Sequence, residues 1–390
     1  MNKKIFISVF QAIPNIGSEN HVGFYIINRL LKEEYDIFLF TPDVNKIAIK
    51  DHYSGNYPDN LNFIEANYPL LLRIFKPNPY KYTQYVSNIL WELYLRKYTK
   101  QNNKDFDLYY QINPSSWWAY NGLINNTHPT LIGPLMGFRF PRKGLWKYLG
   151  IKSKLFEFIR MFLLKSPYAS INKRRILKSD TYVLLDGDLN IFNKDEYTNT
   201  SHTLSLDVST SERQEPQIPK IILGGRLVDT KGYAIALECL SRIPRNFNVD
   251  IYGEGPAEQA IYNLIKKFNL ETKVELKGMV NRSDFIKNML NANVLIAPYV
   301  RENASLLVAE ALYNSLPVVT ISETGPASVC KLFNPELYRI SYGYKDELIE
   351  SMSKDVTYFI DNFTSMDPKP SGNFGNDIVN KINEILHTVQ

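Results

Sequence analysis

Glu302 and Glu310 stand eight residues apart in "RENASLLVAEALYNSLPVV" (301–319), and Arg226 and Lys231 flank a short loop in "GGRLVDTKG" (224–232). A fork-shaped guanidinium, a point-charge ammonium and glycine backbone amides suit a diphosphate. On one helix the two glutamates would share a face, since eight residues is a little over two turns. The residues around them argue otherwise. "ANVLIAPYV" (292–300) is a short apolar run broken by Pro298, the pattern of a buried strand ending at a loop. Asn303, Ala304 and Ser305 supply small and capping types, and "LLVAEALYN" carries helix formers. The expected order is strand, tight loop, helix. Glu302 then lies at the strand's carboxyl end and Glu310 about a turn and a half into the helix. Backbone amides at that helix start favour an anion through the helix dipole. Taken singly, "GGRLVDTKG" reads rather as a turn with solvated cations, and "YGEGPAE" (252–258) only as a glycine-proline turn opening a helix.

The elements that must position these groups alternate regularly. "KIILGG" reads as a strand and "KGYAIALECLSRI" as a helix, "FNVDIYG" as a strand and "AEQAIYNLIKKFNL" as a helix. "KVELKG", "RSDFIKNMLNA", "NVLIAP", the helix from Ser305 and "LPVVTIS" continue the pattern. Strands alternating with helices at this spacing imply a parallel, doubly wound sheet, with ligands outside the strands' carboxyl ends. The first half shows strand-like runs at "KIFISV" (4–9), "YDIFLFT" (35–41), "DLYYQIN" (107–113) and "PTLIGPL" (129–135), with a helix-like "VGFYIINRLLKEE" (22–34). Polar sequence over 193–219 reads as loop or linker.

At 390 residues with 44% hydrophobic and 22% charged residues, the chain reads as a soluble globular protein of two domains. Cys239 and Cys330 are not in a metal-ligand spacing, and two thiols in so long a chain suggest a reducing compartment. The opening apolar stretch lacks a cleavage site and runs into Pro14 and Gly17, so it reads as a first buried strand. No apolar run reaches the ~20 residues of a membrane span. A cytoplasmic location is therefore expected. The net charge of +5 hides an asymmetry: 139–178 carries twelve Lys or Arg and one acid, Glu157, a local +11 that leaves −6 for the rest. Within it "GLWKYLGIKSKLFEFIRMFLLK" (144–165) interleaves lysines with aromatics and leucines. That pattern fits either an anionic membrane surface or a helix packed on its own domain with a solvated basic face. No nucleic-acid-binding motif accompanies the charge, and none is expected as partner.

Together "GGRLVDTKG", "DIYGEGP", "LKGMV" and "ANVLIAPYVRENASLLVAEALYNSLPVV" resemble, in order and spacing, the carboxyl-terminal domain of retaining glycosyltransferases of family 4. The resemblance is strongest over residues 220–330; "IGSENHVGFYIINRLL" (16–31) and "LIGPLMGFRFP" (131–141) are similar to first-domain segments of the same family. It implies an α/β GT-B fold, two Rossmann-like domains with parallel sheets facing across a cleft: an acceptor-side domain over 1–205 and a nucleotide-sugar domain over 206–375. A last helix over 376–390 would return to the first domain. It also implies that Arg226 and Lys231 grip a donor diphosphate, that Glu310 meets the ribose hydroxyls and that Glu302 lies by the transferred sugar. Gly225, Gly253, Met279, Val280, the stretch Ser305, Leu306 and Leu307, and Gly17 complete the implied donor site. The implied reaction moves a sugar from a nucleotide diphosphate sugar to a carbohydrate acceptor, with neither cofactor nor metal. The leaving phosphate oxygen takes the acceptor hydroxyl's proton. The expected acceptor is a lipid-linked or surface polysaccharide intermediate, met by a chain peripheral to the inner membrane face.

Two departures bear on this. Many family members carry a first-domain histidine that touches the donor sugar; here "DLYYQINPSSWW" (107–118) offers Tyr110, Gln111 or Asn113 instead. His21 reads as a loop residue and His128 as a surface residue. The glycine usual before "PVV" is displaced, with Ser315 in that turn. "DGD" (186–188) matches the metal pair of the other major glycosyltransferase fold in three residues only and reads as a turn. The rival readings are a catalytically degenerate nucleotide-sugar or carbohydrate-binding protein, and an epimerase or phosphorylase on the same fold.

Overall fold

The computed structural model describes residues 2–388 except 15, 18, 66–69, 71–82, 103–105, 118–119, 125–127, 137–138, 178–179, 187–191, 194–195 and 207–210. The chain divides into two compact units, one of residues 1–137, 162–205 and 373–390, the other of 138–161 and 206–372.

The first unit is built on a parallel sheet of β1 (Lys3–Ser8), β2 (Tyr35–Phe40), β3 (Leu61–Phe63), β4 (Leu108–Gln111), β5 (Thr130–Met136), β6 (Thr181–Asp186) and β7 (Thr198–Thr200), in the order β3-β2-β1-β4-β5-β6-β7. Helices α1 (Glu19–Leu30), α2 (Asp43–His52) and α3 (Thr83–Gln101) join its early strands, and α4 (Ile151–Leu164) and α5 (Pro167–Leu177) lie between β5 and β6 in the chain. All four residues of β4 are buried, as expected for a parallel strand covered on both faces. An aromatic cluster of Phe6, Phe40, Trp91 and Tyr109 packs there, with the Phe40 and Trp91 rings 4.8 Å apart.

The second unit carries β8 (Lys220–Gly224), β9 (Asn248–Tyr252), β10 (Val274–Gly278), β11 (Val294–Ala297), β12 (Val318–Ile321) and β13 (Tyr338–Ser341), in the order β10-β9-β8-β11-β12-β13, every pairing parallel. Its helices are α6 (Tyr233–Leu240), α7 (Glu258–Lys267), α8 (Arg282–Leu290), α9 (Leu306–Tyr313), α10 (Gly325–Cys330) and α11 (Asp346–Asp361). Strand order reverses between β8 and β11, so the crevice beyond their carboxyl ends is the topological switch point of this sheet. Leu145 and Leu149 join the core of this unit. Arg142 donates to Ser322 Oγ and to the Gly343 carbonyl, both at 2.8 Å. Arg213, almost fully buried, donates to the carbonyls of Ser315 (3.0 Å), Thr364 and Ala292.

The last helix, α12 (Phe374–Thr388), packs in the first unit on α1. The Phe374 ring stacks on Tyr25 at 5.8 Å, and the Tyr35 hydroxyl donates to Asn383 Oδ1 at 2.7 Å.

Several local expectations need correction. The polar stretch 193–219 is not all loop, because Thr198–Thr200 forms the edge strand β7. His21 lies in the first turn of α1, its Nε2 3.0 Å from Ser205 Oγ, rather than in a loop. Of "DGD", Asp186 is the last residue of β6, buried against His202, while Gly187 and Asp188 lie outside the described residues.

Candidate donor-binding site

The switch-point crevice of the second unit collects most of the residues singled out above. β8 ends at Gly224, and the chain turns through Gly225, Arg226 and a short 3-10 turn, Asp229–Lys231, before α6. Two glycines make this loop possible. Gly232 takes φ 72°, and a Cβ there would stand 1.9 Å from the Pro298 carbonyl oxygen. Gly253, after β9, takes φ 122°, and a Cβ would stand 2.1 Å from the Gly225 carbonyl oxygen. Both are backbone-on-backbone approaches that only glycine permits. The loop after β11 is tied to the same turn, since the amides of Val300 and Arg301 donate to the Thr230 carbonyl at 2.9 and 3.2 Å. Substituting Gly253 by alanine is expected to destabilise this unit by about 2–4 kcal/mol through strain and collision. A lowered urea midpoint at unchanged slope checks it.

These ties bring Lys231 to Glu302. The ammonium lies 2.8 Å from Glu302 Oε2 and 4.0 Å from the centre of the Tyr299 ring, with side-chain exposures of 16% for Lys231 and 30% for Glu302. Burial is the largest influence on Lys231 and opposes its charge. The Tyr299 hydroxyl and the Glu302 carboxylate outweigh it and hold the ammonium above its ordinary pKa. The crevice therefore holds a cation whose only carboxylate partner among the described residues is partly open to solvent. A diphosphate, carrying more charge, could compete for it.

Ser305 caps α9, its Oγ accepting from the Val308 amide at 3.4 Å. The amides of Leu306 and Leu307 have no acceptor among the described residues, as the first turn of a helix dictates. Leu307 lies against Gly224, where a Cβ would come within 3.1 Å of its Cδ2, so the start of α9 faces the end of β8. One turn on, Glu310 accepts from Arg282 Nε at 2.8 Å.

Arg226 is exposed beside this crevice with no ion-pair partner among the described residues. Met279 and Val280 join β10 to α8, and Met279 is exposed. Gly253 reaches the same strand end, its amide donating to the Gly278 carbonyl at 2.8 Å. Gly17 belongs to the first unit, exposed in the loop before α1. Two residues escaped the sequence reading. Tyr299, whose ring underlies Lys231, stood in the quoted "ANVLIAPYV" as an aromatic directly after Pro298. Arg282, the partner of Glu310, carried no signal beyond being a cation at a helix start.

In the first unit the three residues offered in place of a histidine are held by the fold. The Asn113 side-chain Oδ1 accepts from the Phe10 and Gln11 amides at 2.7 and 3.1 Å. Gln111 donates to Glu92 Oε1 at 2.8 Å, and Tyr110 is fully buried, its hydroxyl without a partner among the described residues. Burial pushes the Glu92 carboxyl up to about 8, against hydrogen bonds from Gly122 and Gln111 that lower it. A raised acid binds its proton in the folded state before the unfolded one does. Its contribution is complete below about pH 4.5 and is lost as pH rises toward 8. Glu92→Gln is expected to flatten a decline in stability of about 1.4 kcal/mol per pH unit across that window. Chemical denaturation at several pH values measures it.

Comparison with known proteins bears on the family and the fold. Residues 209–362 match the model of the family described as glycosyl transferases group 1. A putative colanic acid biosynthesis glycosyltransferase, WcaL of Escherichia coli K12, is 31% identical over 116 residues, 27% of this chain and 28% of that protein. The chain aligns with less than a third of the length of the curated relatives it matches. Among solved structures, the lipopolysaccharide outer core galactosyltransferase WaaB superposes with a TM-score of 0.63 at 12% identity, over 98% of this chain and 99% of that one. Anabaena HepE, solved with UDP and glucose, superposes with a TM-score of 0.57 at 13% identity, over 100% and 98%. These likenesses show the fold, which is GT-B.

Proposed function

We propose, from the match of residues 209–362 to the glycosyl transferases group 1 family, that the chain moves a sugar from a nucleotide diphosphate sugar to a carbohydrate acceptor with retention at the anomeric carbon. The observation that carries this reading is Lys231 held charged 2.8 Å from Glu302 at the switch point of the sheet, beside the open first turn of α9. The diphosphate would displace Glu302 from Lys231 and sit between that ammonium, Arg226 and the amides of Leu306 and Leu307. Glu302, released, would accept from hydroxyls of the transferred sugar, and Glu310 would exchange Arg282 for the ribose hydroxyls.

As the anomeric carbon–oxygen bond breaks, the electron pair goes to the leaving diphosphate, where fixed cations and amides stabilise the developing charge. The acceptor oxygen bonds to the anomeric carbon on the same face, and its proton passes to the departing phosphate oxygen. None of these steps draws on a metal. WaaB acts on lipopolysaccharide outer core and WcaL is assigned to colanic acid biosynthesis. The acceptor proposed here is by analogy a lipid-linked or surface polysaccharide intermediate, and HepE makes a UDP-sugar the first donor to try.

Thermal-shift screening against UDP-, GDP-, ADP- and CMP-sugars tests the donor, because a ligand confined to the folded state raises the melting temperature. A shift with one nucleotide class, followed by glycan product in the presence of acceptor, is expected. Binding with no transfer to any glycan would leave a nucleotide-binding protein only.

A further inference from the structure

Helix α4 is built inside out. Along Ile151–Leu164 the one fully buried residue is a charged one, Glu157, at 1% exposure. Its Oε1 lies 3.0 Å from Arg301 Nε and 3.4 Å from Arg160 Nη1. Ser153, one turn earlier on the same face, donates to Asp229 Oδ2 at 2.9 Å, and the Gly150 amide does so at 2.9 Å. The opposite side is apolar and open. Ile151, Leu155, Phe158, Ile159, Phe162 and Leu163 recur at the three- and four-residue spacing of one helix face, with Ile151 86% and Phe162 74% exposed. A soluble helix normally turns such a face inward.

Charge says what covers it. Glu157 is the one acid in 139–178, and it is buried, so this segment turns no carboxylate to solvent. Lys152 within α4 and Lys165 directly after it are exposed, as are Lys143, Lys147 and Arg174 in the flanking sequence. An interface between protein copies is depleted of lysine at its centre, whereas an interfacial membrane helix mixes lysines with phenylalanine and leucine. Among the described residues no helix is long and apolar enough to cross a membrane. The 14 residues of α4 extend about 21 Å, a length that lies in a surface rather than spanning it.

We propose that the outer face of α4 docks on an anionic lipid bilayer, its phenylalanines and leucines entering the headgroup boundary while the flanking lysines meet acidic headgroups. The inner face meanwhile holds the loops that carry Lys231 and Glu302, through Asp229 and Arg301. The docking does not depend on the donor reading, and its test uses no nucleotide.

The full chain is cosedimented with vesicles of phosphatidylcholine alone or mixed with phosphatidylglycerol. Binding is expected to the mixed vesicles, weakening as salt rises, and to fall at least about tenfold in Phe158→Glu/Phe162→Glu. Neutralising the exposed lysines in Lys152→Gln and Lys165→Gln is expected to lower it about fivefold per cation. Circular dichroism melts confirm that the variants fold. No binding to mixed vesicles would overturn the proposal, as would equal binding by wild type and the phenylalanine variant. A solution dimer that the phenylalanine substitutions dissociate, without vesicle binding, would assign the face to a second copy instead.

Discussion

Replacing Lys231 by alanine is expected to weaken nucleotide diphosphate binding by about 10²–10³-fold, equivalent to ~3–4 kcal/mol, because a buried charge loses its partner. Two effects add. The diphosphate loses its most enclosed cation, and Glu302, no longer paired at 2.8 Å, becomes a bare carboxylate facing an incoming anion. Lys231→Arg is expected to restore little, since a longer and bulkier guanidinium must fit where an ammonium only 16% exposed is seated between Glu302 and the Tyr299 ring. Arg226→Ala is expected to cost less, because that side chain is exposed and screened. Calorimetric titration with the nucleotide chosen by thermal shift gives the ranking. Equal affinities for wild type and Lys231→Ala would remove the lysine from the site.

The second large effect separates the two carboxylates with which the sequence reading began. Glu302→Ala is expected to lower kcat about 100-fold, the scale of a lost positioning contact, while leaving donor affinity nearly unchanged. Its removal frees Lys231 for the diphosphate but strips the contact to the reacting sugar. Glu310→Ala is expected to do the reverse, raising the donor Kd about tenfold or more with a smaller effect on kcat, as loss of a charged hydrogen-bond acceptor dictates. Glu310→Ala should change stability little, whereas Glu302→Ala leaves the enclosed Lys231 ammonium unpaired and is expected to lower stability. The Arg282 partner of Glu310 is 62% exposed, and such a pair contributes about 0–1 kcal/mol. Steady-state kinetics beside direct binding resolves the pattern, and small equal effects from both would end the assignment.

Much of the second unit was legible because β8, β9 and β11 are short, buried on both faces and closed by glycine or proline. "KIILGG" and "NVLIAP" read as β8 and β11 for that reason, and Ser305 announced the cap of α9. The turn before β12, where glycine is usual, is held by Ser315 in the left-handed region at φ 58°. β13 and β7 were among the strands missed. The first mixes "YRIS" with mostly half-buried positions, and the second is a three-residue edge, so neither shows an apolar run.

The origin of 138–161 was hidden for a different reason. Its place in the second unit depends on Arg142 reaching Ser322 and Gly343 and on Gly150 reaching Asp229, pairings across scores of residues that local pattern does not encode. The same holds for α4. Periodicity reveals two faces but not which one turns inward, and there the Glu157–Arg301 pair reversed the usual choice.

A crystal structure of the chain with a bound nucleotide diphosphate tests the central claim most directly. The account predicts phosphate oxygens within hydrogen-bond reach of Lys231 and of the Leu306 and Leu307 amides, with Glu310 turned from Arg282 to the ribose. A nucleotide lodged away from the β8–β11 crevice, or bound there with Lys231 still on Glu302 and no phosphate against α9, would contradict it.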